Sequence, residues 1–157
     1  MKIFRYILLL IAFFFIAFSY AQTKIYKGDS SSDKDLLFTI MNGKIFAGSL
    51  KGIIICNIKE DKIYYKNYGT DRDILFTIRN DYRVYKKKSI YRKDLVILIE
   101  RNRIYDTDNS LLASKEGNKI YDGNSRLASH ILFTVEGSLN SNELAAVILI
   151  SLSAVKK

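Results

Sequence analysis

Few side chains in this chain can do chemistry. Cys56 is the single cysteine and His130 the single histidine among 157 residues. A thiol and an imidazole make a nucleophile and its base only within hydrogen-bond reach. Carboxylates gather in turn-like stretches, at Asp29, Asp33, Asp35, Asp71, Asp73, Asp106, Asp108 and Asp122. Asp106-Thr107-Asp108-Asn109 has the opening of a calcium loop without its glycine or its distal bidentate Glu. Turn chemistry is the simpler reading, because Asp and Asn side chains bond the backbone of their own loops. Zinc-type spacing, a glycine-rich phosphate loop and a nucleophile elbow are all missing from the sequence.

The remaining candidate is basic. Arg79, Arg83, Lys86, Lys87, Lys88, Arg92 and Lys93, followed by Arg101 and Arg103, interleave with Tyr82, Tyr85 and Tyr91. Such a cluster suits a polyanion: envelope lipid headgroups, acidic polysaccharide or, as the least favoured partner, nucleic acid. The competing reading is a solvated strand face, where lysines guard sheet edges. Alternation along strands favours the second reading, since it spreads these residues over both ends of several strands.

The elements that would hold these residues repeat. Asp35 to Gly48 reads strand, two-residue turn, strand, and Asn42-Gly43 is the strongest short hairpin signal. A basic residue, Ile or Val, then Tyr or Phe recurs around Ile25, Ile45, Ile63, Val84, Ile104 and Ile120, at spacings of 20, 18, 21, 20 and 16 residues. Apolar strands lie between these anchors at 36–40, 54–58, 74–78, 95–99 and 131–135, with a weak one near Leu111 to Ala113. Six units of two strands predict about twelve short strands. The turn sets the register: Met41 opposite Lys44, Ile40 opposite Ile45, Thr39 opposite Phe46. Leu36, Phe38, Ile40 and Ile45 then share the core face with their counterparts, and Leu37, Thr39 and Phe46 share the other.

That register places the two lone reactive residues apart. Cys56 takes the core slot of Phe38 and Phe76, the position of a buried small hydrophobe. His130 takes the strand-start slot of Asp35, Asp73 and Asp94, a rim position. The expectation is no catalytic residue, no cofactor and no metal.

Met1 to Ala21 reads as a secretory signal peptide, with Lys2 and Arg5, an apolar run from Ile7 to Phe18, and Ser19-Tyr20-Ala21 before Gln22. Cleavage after Ala21 would leave residues 22–157 as one β-repeat domain. Losing Lys2 and Arg5 lowers the 25 basic residues to 23 against 16 acidic ones, a formal +7. Proline is absent, and one cysteine permits no internal disulfide.

From Leu139 the pattern changes. Asn140 and Glu143 form a capping-box start, and Leu144 to Val155 is apolar nearly all round, which predicts a helix over 141–155 buried on all sides. About twelve strands close to a diameter that side chains alone cannot fill. The expected fold is therefore mainly β: a twelve-stranded antiparallel barrel of six hairpins over 24–138, closed around a C-terminal hydrophobic helix. Its arrangement is similar to the tubby C-terminal fold, as an architectural analogy without that family's motifs. An open stack of hairpins capped by the helix is the alternative.

Asp73-Ile74-Leu75-Phe76-Thr77-Ile78, Ile54-Ile55-Cys56-Asn57-Ile58, Lys119-Ile120-Tyr121-Asp122-Gly123-Asn124-Ser125 and Glu143-Leu144-Ala145-Ala146-Val147 carry a resemblance. They resemble small uncharacterised bacterial secreted proteins with tandem K-I-Y-x-G-N-S and D-I-L-F-T-I units and a short closing helix. The resemblance implies a repeat fold and bacterial origin and brings no activity with it. The functional expectation is a non-catalytic exported binding or structural module of the bacterial envelope, not membrane-spanning. A basic lipid- or polyanion-binding domain is the alternative, and an enzyme the third reading.

Overall fold

The computed structural model describes residues 22–79 and 82–155. The expected leader, Met1 to Ala21, lies outside the described residues. Within them the chain forms twelve strands: β1 Thr23–Lys27, β2 Leu36–Met41, β3 Lys44–Ala47, β4 Ile54–Lys59, β5 Lys62–Tyr65, β6 Ile74–Ile78, β7 Arg83–Lys86, β8 Leu95–Glu100, β9 Arg103–Tyr105, β10 Leu111–Glu116, β11 Lys119–Asp122 and β12 Ile131–Glu136. Each pairs antiparallel with its neighbours, and β1 pairs with β12, so the sheet is a closed barrel in simple up-and-down order. The fifth unit is a full hairpin: β10 runs six residues where only Leu111 to Ala113 were expected. Ala113, Ser114 and Lys115 hide it from an apolar pattern.

Tight turns lie at one end of the barrel and longer loops at the other. Asn42 and Gly43 have φ of 52° and 72°, as a two-residue hairpin of this kind requires. The register is the expected one: Met41 opposite Lys44, Ile40 opposite Ile45, Thr39 opposite Phe46. Carbonyls of these turns then knit the units together: Ile58 N–H donates to Gly43 O (2.6 Å), Ile78 to Asp61 O (2.7 Å), Ile99 to Tyr82 O (3.0 Å) and Val135 to Asn118 O (2.8 Å).

A terminal helix, α1, spans Ser141–Val155. Its start is a reciprocal capping box: Asn140 N–H donates to Glu143 Oε2 (3.0 Å) and Glu143 N–H to Asn140 Oδ1 (2.9 Å). Asn142 Nδ2 donates to Glu60 O in the β4–β5 turn (3.0 Å), which fixes the helix N-terminus at the turn end. Fifteen residues make a helix of about 22 Å, close to the roughly 20 Å of a six-residue strand. The helix therefore threads the lumen to the loop end. Leu144 to Leu149 are buried in one cluster with Ile25, Ile45, Ile63, Val84, Ile104 and Ile120 from the six odd strands. Val147 is wholly enclosed (0 % exposed), whereas Leu152 stands 38 % exposed at the rim. Burial on all sides was expected over 141–155 but gives way near Ile150, because the helix is slightly longer than the wall around it.

One expectation fails in a regular way. Leu36 and its counterparts were placed on the core face and Leu37 on the other. Instead, the ladder skips one residue at the start of each even strand: Ile25 pairs with Phe38 but Tyr26 with Leu36, and Ile120 pairs with Phe133 but Tyr121 with Ile131. These bulges put two residues against one and reverse the alternation beyond them. Leu37, Val96, Leu112 and Leu132 thus pack on the lumen cluster, and Leu36 and Leu95 line grooves on the outer wall.

Candidate functional site

The lumen is filled, so reactive groups have only the outer wall and the two rims. Cys56 points inward and is 0 % exposed. Burial pushes its thiol up to about 12, away from the nucleophilic thiolate. His130 ends a one-turn 3-10 helix, Ala128–His130, and is exposed at the loop end. The two do not form a pair. Asp106 folds its carboxylate onto its own loop, accepting from the N–H of Asp108 (2.9 Å) and Ser110 (2.8 Å), so it is a turn former as expected. Asp35, Asp73 and Asp94 accept from Ser30, Thr70 and Ser89 (2.5–2.6 Å) and brace the loops before even strands. Among the described residues no group of His, Cys, Asp and Glu is arranged to hold a metal ion.

The outer wall repeats a second device. In the middle of each even strand an outward residue stands between the basic residue of the strand before and the aromatic residue of the strand after. Thr39 sits between Lys24 and Phe46, Thr77 between Lys62 and Tyr85, Thr134 between Lys119 and Tyr26. The hydroxyl straps the next loop down: Thr39 Oγ1 donates to Gly48 O (2.5 Å), Thr77 to Lys87 O (2.6 Å), Ser114 to Gly123 O (2.6 Å) and Thr134 to Gly28 O (2.7 Å). Asn57 reaches Tyr68 O at 3.4 Å from the same slot. The strapped residues Gly28, Gly48, Lys87 and Gly123 all have positive φ, a conformation that glycine adopts without strain.

Leu98 breaks this column. It occupies the slot between Arg83 and Tyr105 and has no hydroxyl to donate. The following loop, 106–110, is instead closed by Asp106. An open groove of about 440 Å³ lies there, lined by Arg83, Tyr85, Ile90, Arg92, Leu95, Leu98, Thr107 and Asn109.

This groove brings together two of the expected basic residues, Arg83 and Arg92. The others are dispersed. Arg79 follows β6 at the turn end, half-buried, its Nε shielded from solvent with no hydrogen-bond partner among the described residues. Lys86, Lys87, Lys88 and Lys93 are exposed at the loop end. Lys88 pairs with Asp71 of the neighbouring loop, and Lys93 lies 5.8 Å from the ring centre of Tyr91. Three of the anchor lysines have carboxylate partners, Lys119 with Asp29. Lys24 lies 3.7 Å from Glu136, which raises its pKa, and Lys62 bonds Asp61 (3.0 Å), with the same effect. The hydrogen bond from Tyr26 to Glu136 (2.7 Å) raises the phenol pKa. Leu98, Thr107 and Asn109 escaped the sequence reading. Their signal is the column Thr39, Asn57, Thr77, Leu98, Ser114, Thr134, in which one member is apolar.

Closed hairpin repetition around a central plug defines the class: a six-unit β-barrel with a filled lumen. The chain belongs to the 6-fold beta flower protein family, whose model matches residues 12–102 and, in a second overlapping match, residues 65–144. Comparison with curated proteins and with solved structures finds no match. No helix among the described residues is long and apolar enough to cross a membrane.

Proposed function

We propose that the chain is a non-catalytic binding module exported to the bacterial cell envelope. One observation carries the reading: the helix takes up the concave interior, leaving recognition to shallow grooves and loops on the outer wall. An enzyme site typically needs a concave pocket with convergent polar groups, and Cys56 is buried inside the barrel while His130 is exposed at the loop end. The leader motif supports export. Expression of the full chain in a bacterial host should yield an exported product beginning at Gln22, read by mass spectrometry. A cytoplasmic product retaining Met1 contradicts export. An array of envelope glycans and lipids should retain the mature protein without turnover; turnover of an arrayed compound contradicts the non-catalytic reading.

A second reading has its own observation. Lys86 at the end of β7, Lys87 and Lys88 in the loop after it, and Arg92 and Lys93 in the 3-10 turn that follows flank Ile90 and Tyr91, which are 64 % and 65 % exposed. A basic loop with apolar tips suits anionic lipid. Binding to anionic vesicles should then weaken over roughly 0.05–0.2 M salt as screening grows. Salt-independent binding, or none, discards it.

A further inference from the structure

We propose that the barrel docks on an anionic lipid bilayer in one tilted orientation, through the half of its loop end formed by the β3–β4, β5–β6 and β7–β8 loops; this rests on the lipid reading above and supplies its face and its inserting side chains.

The six long loops fall into two halves around the rim. Because the strands run in simple up-and-down order, successive long loops are neighbours in space. Residues 48–53, 66–73 and 87–94 hold seven basic and three acidic side chains, a formal +4. Residues 106–110, 123–130 and 28–35 hold two basic and five acidic ones, a formal −3. The three acids of the first half are already engaged: Asp71 with Lys88, Asp73 with Thr70 and Asp94 with Ser89. The Lys88–Asp71 pair also ties the β7–β8 loop to the β5–β6 loop. A closed barrel has no sheet edge for lysines to guard, so edge protection does not account for their gathering on one half.

Exposed apolar side chains divide the same way. Ile53, Tyr68, Ile90 and Tyr91 all stand on the basic half, with Ile53 75 % exposed. The acidic half offers Leu127 alone among the described residues. Cations flank the tips of the basic half: Lys51 and Lys88 each lie two residues before an exposed Ile. Lys66 lies 5.1 Å from the ring centre of Tyr65, which stacks with Tyr68, and Lys93 lies 5.8 Å from that of Tyr91. This interleaving selects the partner. A soluble polyanion would meet the cations and leave Ile53 and Ile90 in water. A bilayer takes both, with phosphates for Lys and Arg and the headgroup boundary for Tyr and Ile. The same anionic surface repels the acidic half, which sets the tilt.

The chain has no tryptophan, so single substitutions report depth one loop at a time. Ile53→Trp, Ile90→Trp and Leu127→Trp, each in the exported form beginning at Gln22, are mixed with phosphatidylcholine vesicles containing roughly one-quarter phosphatidylglycerol. Emission of Ile53→Trp and Ile90→Trp should shift to the blue and be quenched by brominated lipid, while that of Leu127→Trp stays unmoved. Lys93→Gln should weaken vesicle binding about fivefold, and Ile90→Ser about tenfold. Unchanged thermal midpoints would show that these exposed substitutions leave the fold intact. Equal shifts at all three positions overturn the tilt. Binding without a shift at 53 or 90, and as tight in Ile90→Ser as in the parent, overturns insertion; both results leave the lipid reading standing. Binding to heparin that matches binding to vesicles and is unmoved by Ile90→Ser assigns the cations to a soluble polyanion and overturns the bilayer. No binding to these vesicles overturns the lipid reading and the docking face together.

Discussion

The inner and outer surfaces of this barrel follow different rules. Facing the helix, Ile25, Ile45, Ile63, Val84, Ile104 and Ile120 do one job six times. On the outside, the corresponding slots differ from unit to unit, as Thr39 against Leu98 and Asp33 against Arg92 show. The inner surface is constrained by volume, since helix and wall must fill each other at interior packing density. The outer surface has only to keep its hydroxyl straps and charge pairs, and it can lose one without losing the barrel. The comparison teaches where to look for function: at the outer position that departs from its five counterparts.

The largest expected effect lies inside. Val147→Asp would bury an unpaired carboxylate, a penalty of several kcal/mol against a total stability of about 5–15 kcal/mol. The native circular-dichroism signal should be lost, and a cooperative unfolding transition near that of the parent would break the contrast. Next comes Gly43→Ala at the turn rim. Gly43 has φ of 72°, and an added Cβ would stand 2.5 Å from Ile58 O. The cost should be about 1–3 kcal/mol, read as a lower urea midpoint. On the outer wall, Thr77→Val removes the hydroxyl that donates to Lys87 O and should cost about 1 kcal/mol. Leu98→Thr should change stability by less than about 0.5 kcal/mol, because the loop beyond it is closed by Asp106; equal costs would erase the distinction between strapped and unstrapped units.

The smallest effect at neutral pH concerns Cys56. Its thiol is raised from the ordinary 9.0 to about 12 by burial. The unfolded chain therefore releases this proton first, so the contribution is fully present below pH 9 and is lost as pH climbs from 9 toward 12. Cys56→Ala should flatten that part of the alkaline stability curve, measured by urea unfolding at successive pH values.

Much of this architecture was legible because local signals agree. Asn42-Gly43 fixes one register, the anchors copy it, and Asn140 with Glu143 marks where the helix begins. The bulges were not legible, because a strict period of two has no place for an extra residue. Adjacent apolar pairs such as Leu36-Leu37 and Leu111-Leu112, one member outward and one inward, are their trace. The site was half visible. Arg83 and Arg92 belong to the basic run, but the run alone cannot separate them from Arg79, which the turn carries to the other end. Leu98 has meaning only after the register sets it beside Thr39 and Thr77.

Hydrogen exchange along α1 tests most directly whether the six hairpins enclose the terminal helix. Amides from Ala145 to Leu149 should exchange only through global unfolding, with the same free energy as Ile45 and Ile63. Exchange within minutes at those positions, while the strands stay protected, would show a helix that leaves the lumen and would contradict the account.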